Sequence, residues 1–134
     1  MIGKLNHIAI AVPDLESSIK TYKSMLGASV SEIIEQKEHG VTVALINLPN
    51  TKIELITPLG QDSPIQGFLR KNPNGGLHHI CYEVENINES KKFLLKAGGR
   101  LVGDGEPKLG AHGKPVLFLH PKDFNGTLIE LEEK

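Results

Sequence analysis

Hydrophobic and polar residues alternate along two well-separated stretches of the chain. These stretches are LNHIAIAV, residues 5–12, and LHHICYEV, residues 77–84. Alternation with a period of two predicts β-strands whose successive side chains point to opposite faces. In the first strand we expect the large apolar residues to pack against a helix and the small ones to leave open space over their own face. The two predicted faces hold His7, Ala9 and Ala11 on one side and Ile8, Ile10 and Val12 on the other.

These two strands open an internal repeat. Residues 5–22 align with residues 77–94, and in that alignment His7 matches His79 while Asn6 matches His78. The repeat therefore predicts that His79 shares the face of His7 and that His78 and Asn6 point the other way. Further along, Glu54 matches Glu130, each flanked by apolar residues. Two copies are too few for a solenoid, so the pattern indicates a duplicated supersecondary unit.

Each copy of the repeat predicts a strand, a helix and three further strands. Asp14 and Asn86 are the expected N-caps, Asn86 pairing with Glu89 as a capping box, and glycines end both helices. The α+β fold class follows, with two paired βαβββ modules in one domain over residues 1–134. We place module 1 at about 4–58, a connector at 59–75 and module 2 at about 76–134. The predicted strands are 4–12, 28–36, 41–48, 51–57, 77–84, 100–104, 115–120 and 126–132, and the helices are 15–26, 64–70 and 90–97.

Composition narrows the functional classes. The net charge of −1 is spread along the chain, which argues against a nucleic-acid partner. The single cysteine, Cys81, excludes an internal disulfide and is typical of a reducing compartment. We find neither a leader peptide nor a long apolar run, so we expect a cytoplasmic protein without a membrane partner.

The matched histidines and glutamates point to a metal site. A carboxylate within an apolar strand is costly to bury unless it is paired or coordinated. A lone strand histidine or glutamate is usually structural or exposed, but here the same pair occurs once in each copy. If the copies pair about a pseudo-twofold axis, two imidazoles and two carboxylates converge. That set suits a divalent first-row metal with open positions for a ligand.

At these residues the sequence resembles the vicinal oxygen chelate superfamily, also called glyoxalase-like. Its members are built from paired βαβββ modules whose curled mixed sheets surround a metal. The similarity extends over nearly the whole chain to the methylmalonyl-CoA epimerase family. The stretches that carry it are LNHIAIAVPDLE, NTKIELITPLGQDSPI, GGLHHICYEV and KLGAHGKPVLFLHPKDFNGTLIELE.

The resemblance implies a ligand set and a reaction. It implies metal ligands at His7, Glu54, His79 and Glu130, with Glu130 also acting as a catalytic base. The implied reaction interconverts (2R)- and (2S)-methylmalonyl-CoA, a step of propionate metabolism, by removing and returning the α-proton through a metal-stabilised enolate. The implied metal is Co²⁺ or Mn²⁺, with Ni²⁺, Zn²⁺ and Mg²⁺ as alternatives, and the implied assembly is a homodimer.

Three features leave alternatives open. Some epimerases place a second glutamate where this chain has Val43, so the second proton-transfer group is unassigned. The glycine-rich segment 103–115 is either a surface turn or a mobile loop in which His112, Gly113 and Lys114 bind substrate. His120 is either structural or a substrate contact.

Three other functions fit parts of the pattern. The main alternative is a glyoxalase I-like lactoylglutathione lyase, which presents the same ligand set. A ring-cleaving dioxygenase is less compatible, because such enzymes use two histidines and one carboxylate. A metal-free binding protein has no need for four metal-ready side chains.

Overall fold

The computed structural model describes residues 1–134, which form two compact units. One unit, here called the terminal unit, comprises Met1–His7 and His79–Lys134, and the other, the central unit, comprises Ile8–His78. No helix has the length and apolar character needed to cross a membrane. The elements in chain order are β1 (Leu5–Ala11), α1 (Leu15–Leu26), β2 (Ile34–Gln36), β3 (Val41–Asn47), β4 (Lys52–Pro58), α2 (Gln66–Lys71), β5 (Gly76–Val84), α3 (Ile87–Lys96), β6 (Lys108–Leu109), β7 (Pro115–Leu119) and β8 (Leu128–Glu133).

Helix α1 of the central unit begins and ends where its caps predict. The Asp14 carboxylate accepts a hydrogen bond from the Ser17 backbone N–H at 3.0 Å, an interaction that stabilises a helix by about 1 kcal/mol. Gly27 takes a left-handed conformation with φ of 62°, and its N–H donates to the Tyr22 carbonyl. The sequence prediction is confirmed at both ends.

In the central unit, strands β2, β3 and β4 pair antiparallel in that order. The predicted strand 28–36 is shorter than expected, because only Ile34–Gln36 pairs continuously and Val30 forms a single bridge to Ile46. The Ser31 hydroxyl accepts a hydrogen bond from the Leu45 N–H at 2.8 Å. This side-chain contact takes a donor on β3 and interrupts the regular ladder.

The small residues of β1 do not leave open space. Ala9 and Ala11 are fully buried, and apolar side chains of β3, β4 and the connector pack against them. The expectation of an open face was therefore wrong over this part of the strand, because the connector supplies a covering apolar residue. The large residues pack as predicted, since Ile10 and Val12 join a cluster with Leu15 of α1.

The terminal unit contains a mixed sheet in the order β5-β8-β7-β6. Strands β5 and β8 run parallel with Cys81 opposite Glu130, and β7 is antiparallel to β8 with Phe118 opposite Glu130. Helix α3 begins at Ile87, three residues earlier than predicted, because Asn86 accepts from the Glu89 N–H at 2.9 Å and so caps a helix that starts immediately after it.

One predicted strand of the terminal unit does not form. In the range 100–104 only Leu101 pairs, by a single bridge to Leu119. Gly103 and Gly105 both have φ of 72°, a left-handed conformation that ends an extended segment. Residues 108–109 pair with β7 instead and form a hairpin whose turn spans residues 110–114.

Candidate metal centre

Three of the four predicted ligands come together in the terminal unit. His7 Nε2 lies 3.2 Å from His79 Nε2, and Glu130 Oε2 lies 3.3 Å from the first nitrogen and 3.0 Å from the second. All three residues are buried, with 2–7% of their surface exposed. Their ligand atoms lie within 4.8 Å of one another, so this group could hold a metal ion. We call it the His–His–Glu cluster.

Strand pairing explains why residues so distant in sequence meet. Backbone hydrogen bonds join Gly3 and Lys4, just before β1, to Glu83 of β5, and the parallel register sets Cys81 beside Glu130. Alternation along β5 and β8 then places His79 and Glu130 on the face that His7 also reaches. The sequence repeat selected His79 over His78, and this choice is consistent with the packing of His78 against Phe68, with ring centroids 5.1 Å apart.

The environment of Glu130 favours the ionised carboxylate. Burial alone would raise the pKa of Glu130, but hydrogen bonds from His7 and His79 reverse this effect and lower the pKa to about 2. Glu130 is therefore negatively charged across the physiological pH range. A buried anion next to two imidazoles is an electrostatic setting that attracts a cation.

The donor set fits a divalent ion. His7 Nδ1 lies 2.8 Å from the Asn6 side-chain oxygen, which can only accept, so this ring nitrogen carries a proton. Its Nε2 then points a lone pair at the Glu130 carboxylate unless a second proton or a cation lies between them. Two imidazole nitrogens and one carboxylate oxygen are ligands that Zn²⁺, Co²⁺ and Mn²⁺ accept.

Glu54, the fourth predicted ligand, belongs to the central unit. It lies on β4 opposite Leu45 of β3 and is 6% exposed. A carboxylate so deeply buried between two apolar neighbours requires a partner. Its burial agrees with the reasoning that marked it as a candidate from the sequence.

The three residues predicted to bind substrate lie in the hairpin turn between β6 and β7. His112 Nδ1 lies 2.9 Å from Glu132 Oε2, and the His112 ring packs edge-on against the His7 ring at 5.9 Å. Gly113 has φ of 72° and donates its N–H to the Gly110 carbonyl, which closes the turn, and Lys114 is exposed. Of the three, His112 is the residue that the structure places beside the His–His–Glu cluster.

The structure bears on two questions that the sequence left open, the role of His120 and the position of the second acid. His120 Nδ1 accepts a hydrogen bond from the Lys122 N–H at 3.1 Å and caps a short 3₁₀ turn, which is a structural role. Val43 is 3% exposed and packs in an apolar cluster, so that position provides no acid.

Two residues around the cluster were missed from sequence. Glu132 is 4% exposed and contacts both His112 and Asn6. Asn6 was assigned to the opposite face from His7, yet its side chain bonds the His7 ring. The sequence held a signal for Glu132, because it lies two residues after Glu130 on β8 and therefore falls on the same face.

Comparison with known proteins supports one family. Residues 6–118 match the Glyoxalase/Bleomycin resistance protein/Dioxygenase superfamily. The ethylmalonyl-CoA/methylmalonyl-CoA epimerase of Cereibacter sphaeroides is 65% identical over 133 residues, covering 99% of both chains. The mitochondrial methylmalonyl-CoA epimerase of Homo sapiens is 59% identical over 132 residues, covering 98% of this chain and 74% of the human one.

Solved structures agree with the sequence comparison. A variant of Streptomyces coelicolor methylmalonyl-CoA epimerase in complex with 2-nitronate-propionyl-CoA superposes with a TM-score of 0.88 at 29% identity, covering 100% of this chain and 99% of that one. By contrast, the lactoylglutathione lyase of Salmonella typhimurium is 25% identical over 130 residues. The α+β fold predicted from the repeat is confirmed.

Proposed function

Because the chain belongs to the glyoxalase/bleomycin resistance protein/dioxygenase superfamily, we propose that it is a metal-dependent epimerase that interconverts (2R)- and (2S)-methylmalonyl-CoA. The observation that carries the proposal is the 65% identity, over 99% of both chains, to a relative named for that reaction. The buried His–His–Glu cluster supports it with the chemistry that the reaction needs. The ligand is then a small acyl-CoA.

The reaction must remove a proton from the carbon between a thioester and a carboxylate. The substrate is already an anion, so a second negative charge develops as the proton leaves. We propose that His7, Glu54, His79 and Glu130 hold a divalent cation. When bound, this ion supplies positive charge that offsets the developing negative charge, an effect worth several kcal/mol in the transition state.

Glu130 is the proposed base. Its pKa of about 2 keeps it ionised, so it can accept a proton without first losing one. The same low pKa makes it a weak base, and a cation held by the same carboxylate would weaken it further, so the substrate must raise its proton affinity. Negative charge brought by the substrate acts in that direction, because a nearby anion favours the protonated form of a carboxyl group.

The proposal also covers the identity of the metal, the oligomeric state and the location of the protein. We propose Co²⁺ or Mn²⁺ as the metal, as the resemblance to the epimerase family implies, with Ni²⁺, Zn²⁺ and Mg²⁺ as alternatives to be tested. We also propose a homodimer located in the cytoplasm. Metal analysis of purified protein and light scattering test the first two of these proposals.

The deciding experiment measures exchange of the substrate α-proton in D₂O together with inversion of configuration. We expect protein loaded with Co²⁺ or Mn²⁺ to catalyse both with methylmalonyl-CoA, and chelation to abolish both until the ion is restored. Activity with the hemithioacetal of glutathione, and none with methylmalonyl-CoA, would replace the proposal by the lyase alternative. Full activity after complete metal removal would refute the metal's role.

A matched pair of variants isolates the cluster. His79→Ala should weaken metal binding severely and abolish turnover, because it removes a nitrogen 3.0 Å from Glu130. His78→Ala, which changes the neighbouring residue that packs on Phe68, serves as the control and should retain turnover. Equal losses in the two variants would contradict the assignment of His79.

A further inference from the structure

A second carboxylate on β8 lies next to the cluster and has no part in the mechanism above. Glu132 is 4% exposed, and its two oxygens face different partners. One oxygen lies 2.9 Å from His112 Nδ1, and the other accepts from the Asn6 side-chain nitrogen at 3.4 Å. A buried carboxylate is retained at a free-energy cost unless its partners satisfy it, so this arrangement calls for an explanation.

Asn6 links Glu132 to the cluster. Its amide nitrogen faces two carboxylates, Glu132 at 3.4 Å and Glu83 at 3.3 Å, which can only accept hydrogen bonds when ionised. These two carboxylates therefore hold the amide with its nitrogen towards them and its oxygen towards His7. Because that oxygen lies 2.8 Å from His7 Nδ1 and can only accept, the proton of His7 is held on Nδ1. Nε2 is then the ring nitrogen that faces Glu130, 3.3 Å from its Oε2.

His112 is tied to the same carboxylate. The residue sits in the turn between β6 and β7, and its ring contacts the His7 ring edge-on with centroids 5.9 Å apart. A hydrogen bond to β8 runs from its Nδ1 to Glu132. Glu132 thus forms a hydrogen bond with His112 in the hairpin turn, and it acts on His7 of the cluster through Asn6.

We infer that Glu132 is a positioning residue that orients the Asn6 amide, so that His7 presents Nε2 to a metal ion, and that anchors the His112 turn beside it. Outer hydrogen bonds of this kind fix the tautomer and orientation of ligand histidines, and their loss typically costs about 10- to 100-fold in metal affinity. The inference rests on the proposed function only in taking His7 as a metal ligand. It needs no particular acyl-CoA substrate.

Nitrogen NMR of the His7 ring in metal-free protein provides the first test. In the wild type we expect the proton on Nδ1. In Asn6→Leu and Glu132→Gln, Nδ1 should lose this proton, because the oxygen that accepts from it is removed or turned away, and the ring proton should then lie on Nε2. Titration with Mn²⁺ alone provides the second test, with an expected loss of affinity of about 10-fold or more in both variants.

Glu133→Gln is the matched control. Its carboxylate neighbours Glu132 in sequence but accepts from the Ile87 N–H at 2.8 Å, at the start of α3. This variant should lose stability while keeping the His7 proton on Nδ1 and the wild-type affinity for Mn²⁺. If Glu132→Gln does not fold, Asn6→Leu carries the test, because it leaves the contact between His112 and Glu132 in place.

The two proposals fail in different ways. An unchanged His7 tautomer and unchanged Mn²⁺ affinity in Asn6→Leu and in folded Glu132→Gln would overturn the positioning role, whatever the epimerase assay shows. The expected changes in tautomer and affinity, found in a protein that does not act on methylmalonyl-CoA, would uphold the positioning role and reject the proposed function.

Discussion

At the scale of the residue, the most informative feature is a carboxylate in an apolar strand. Glu54 and Glu130 stand between apolar neighbours, and both are 6% exposed. Transfer of a carboxylate into such surroundings is unfavourable unless charge or hydrogen bonds compensate it. Sequence alone identified both residues by this argument, and for Glu130 the compensating groups are the imidazoles of His7 and His79.

Replacement of Glu130 tests its role as the base. Glu130→Gln should give a folded protein in which exchange of the α-proton of methylmalonyl-CoA into D₂O falls by about 10²- to 10⁴-fold, because the amide cannot accept the proton. Exchange is measured at saturating metal, and Glu89→Gln, an exposed carboxylate paired with Lys92, is the control. Wild-type exchange in Glu130→Gln would remove Glu130 as a base.

Acid sensitivity of the metal-free protein follows from the same residue. The folded-state pKa of about 2 lies below the unfolded value of about 4.3, so stability due to ionised Glu130 is present above about pH 4.3 and is lost as the pH falls towards 2. The difference corresponds to on the order of 3 kcal/mol. Urea unfolding at several pH values should show this loss in the wild type, and Glu130→Gln should lack it. An identical pH dependence in both would contradict the assigned pKa.

At the scale of the element, local signals predicted boundaries well where they acted alone. Asp14 and Gly27 define α1 as predicted, and Asn86 is the N-cap of α3 as predicted, although α3 begins three residues before the predicted start. Predictions of strands failed for two different reasons. The hydrogen bond between the Leu45 N–H and the Ser31 hydroxyl, a contact between distant residues, interrupts the predicted strand 28–36. The left-handed glycines at 103 and 105 end the extended segment predicted at 100–104. Periodicity reports neither feature, because it records only which face a side chain occupies.

Two glycines with the same φ allow the backbone strain of a substitution to be compared with the effect of a steric clash. Gly60 and Gly75 both have φ of 85°, but a Cβ at Gly75 would lie 2.5 Å from the Ala11 carbonyl oxygen, whereas one at Gly60 would meet nothing within 4 Å. We expect Gly60→Ala to cost about 1 kcal/mol. Gly75→Ala should cost roughly 1–3 kcal/mol more, since the strand must shift.

Urea midpoints of the two glycine variants measure this difference. Equal midpoints would show that the chain near Ala11 moves aside without cost. A larger loss in Gly75→Ala would show that the approach between the segment before β5 and the end of β1 requires a residue without a side chain.

At the scale of the whole molecule, the two compact units cut across the repeat. The units divide the chain after His7 and after His78, whereas the predicted modules begin near residues 4 and 76. The start of β1 therefore joins the unit formed by the second half of the chain. Because the start of β1 belongs to that unit, His7 contacts His79 and Glu130 within a single chain.

Metal binding should be visible in the stability of the whole chain. At a free metal concentration of about 100 times the dissociation constant, a ligand specific for the folded state adds about 2.7 kcal/mol. For a chain of this size we expect Mn²⁺ to raise Tm by on the order of 10 °C, and a chelator to reverse the rise. His7→Ala should abolish the effect, and a full Tm rise in that variant would contradict metal binding at the cluster.

The sequence by itself determined the duplicated βαβββ plan, the α+β class, the helix caps and the selection of His7, Glu54, His79 and Glu130 as candidate metal ligands. These follow from local rules, since periodicity, capping and the cost of burying charge act within a few residues. Only the tertiary structure decided the outer contacts, in which Asn6 bonds the His7 ring and Glu132 holds His112. Such contacts depend on side-chain reach between strands brought together by folding, and no spacing along the chain encodes that distance.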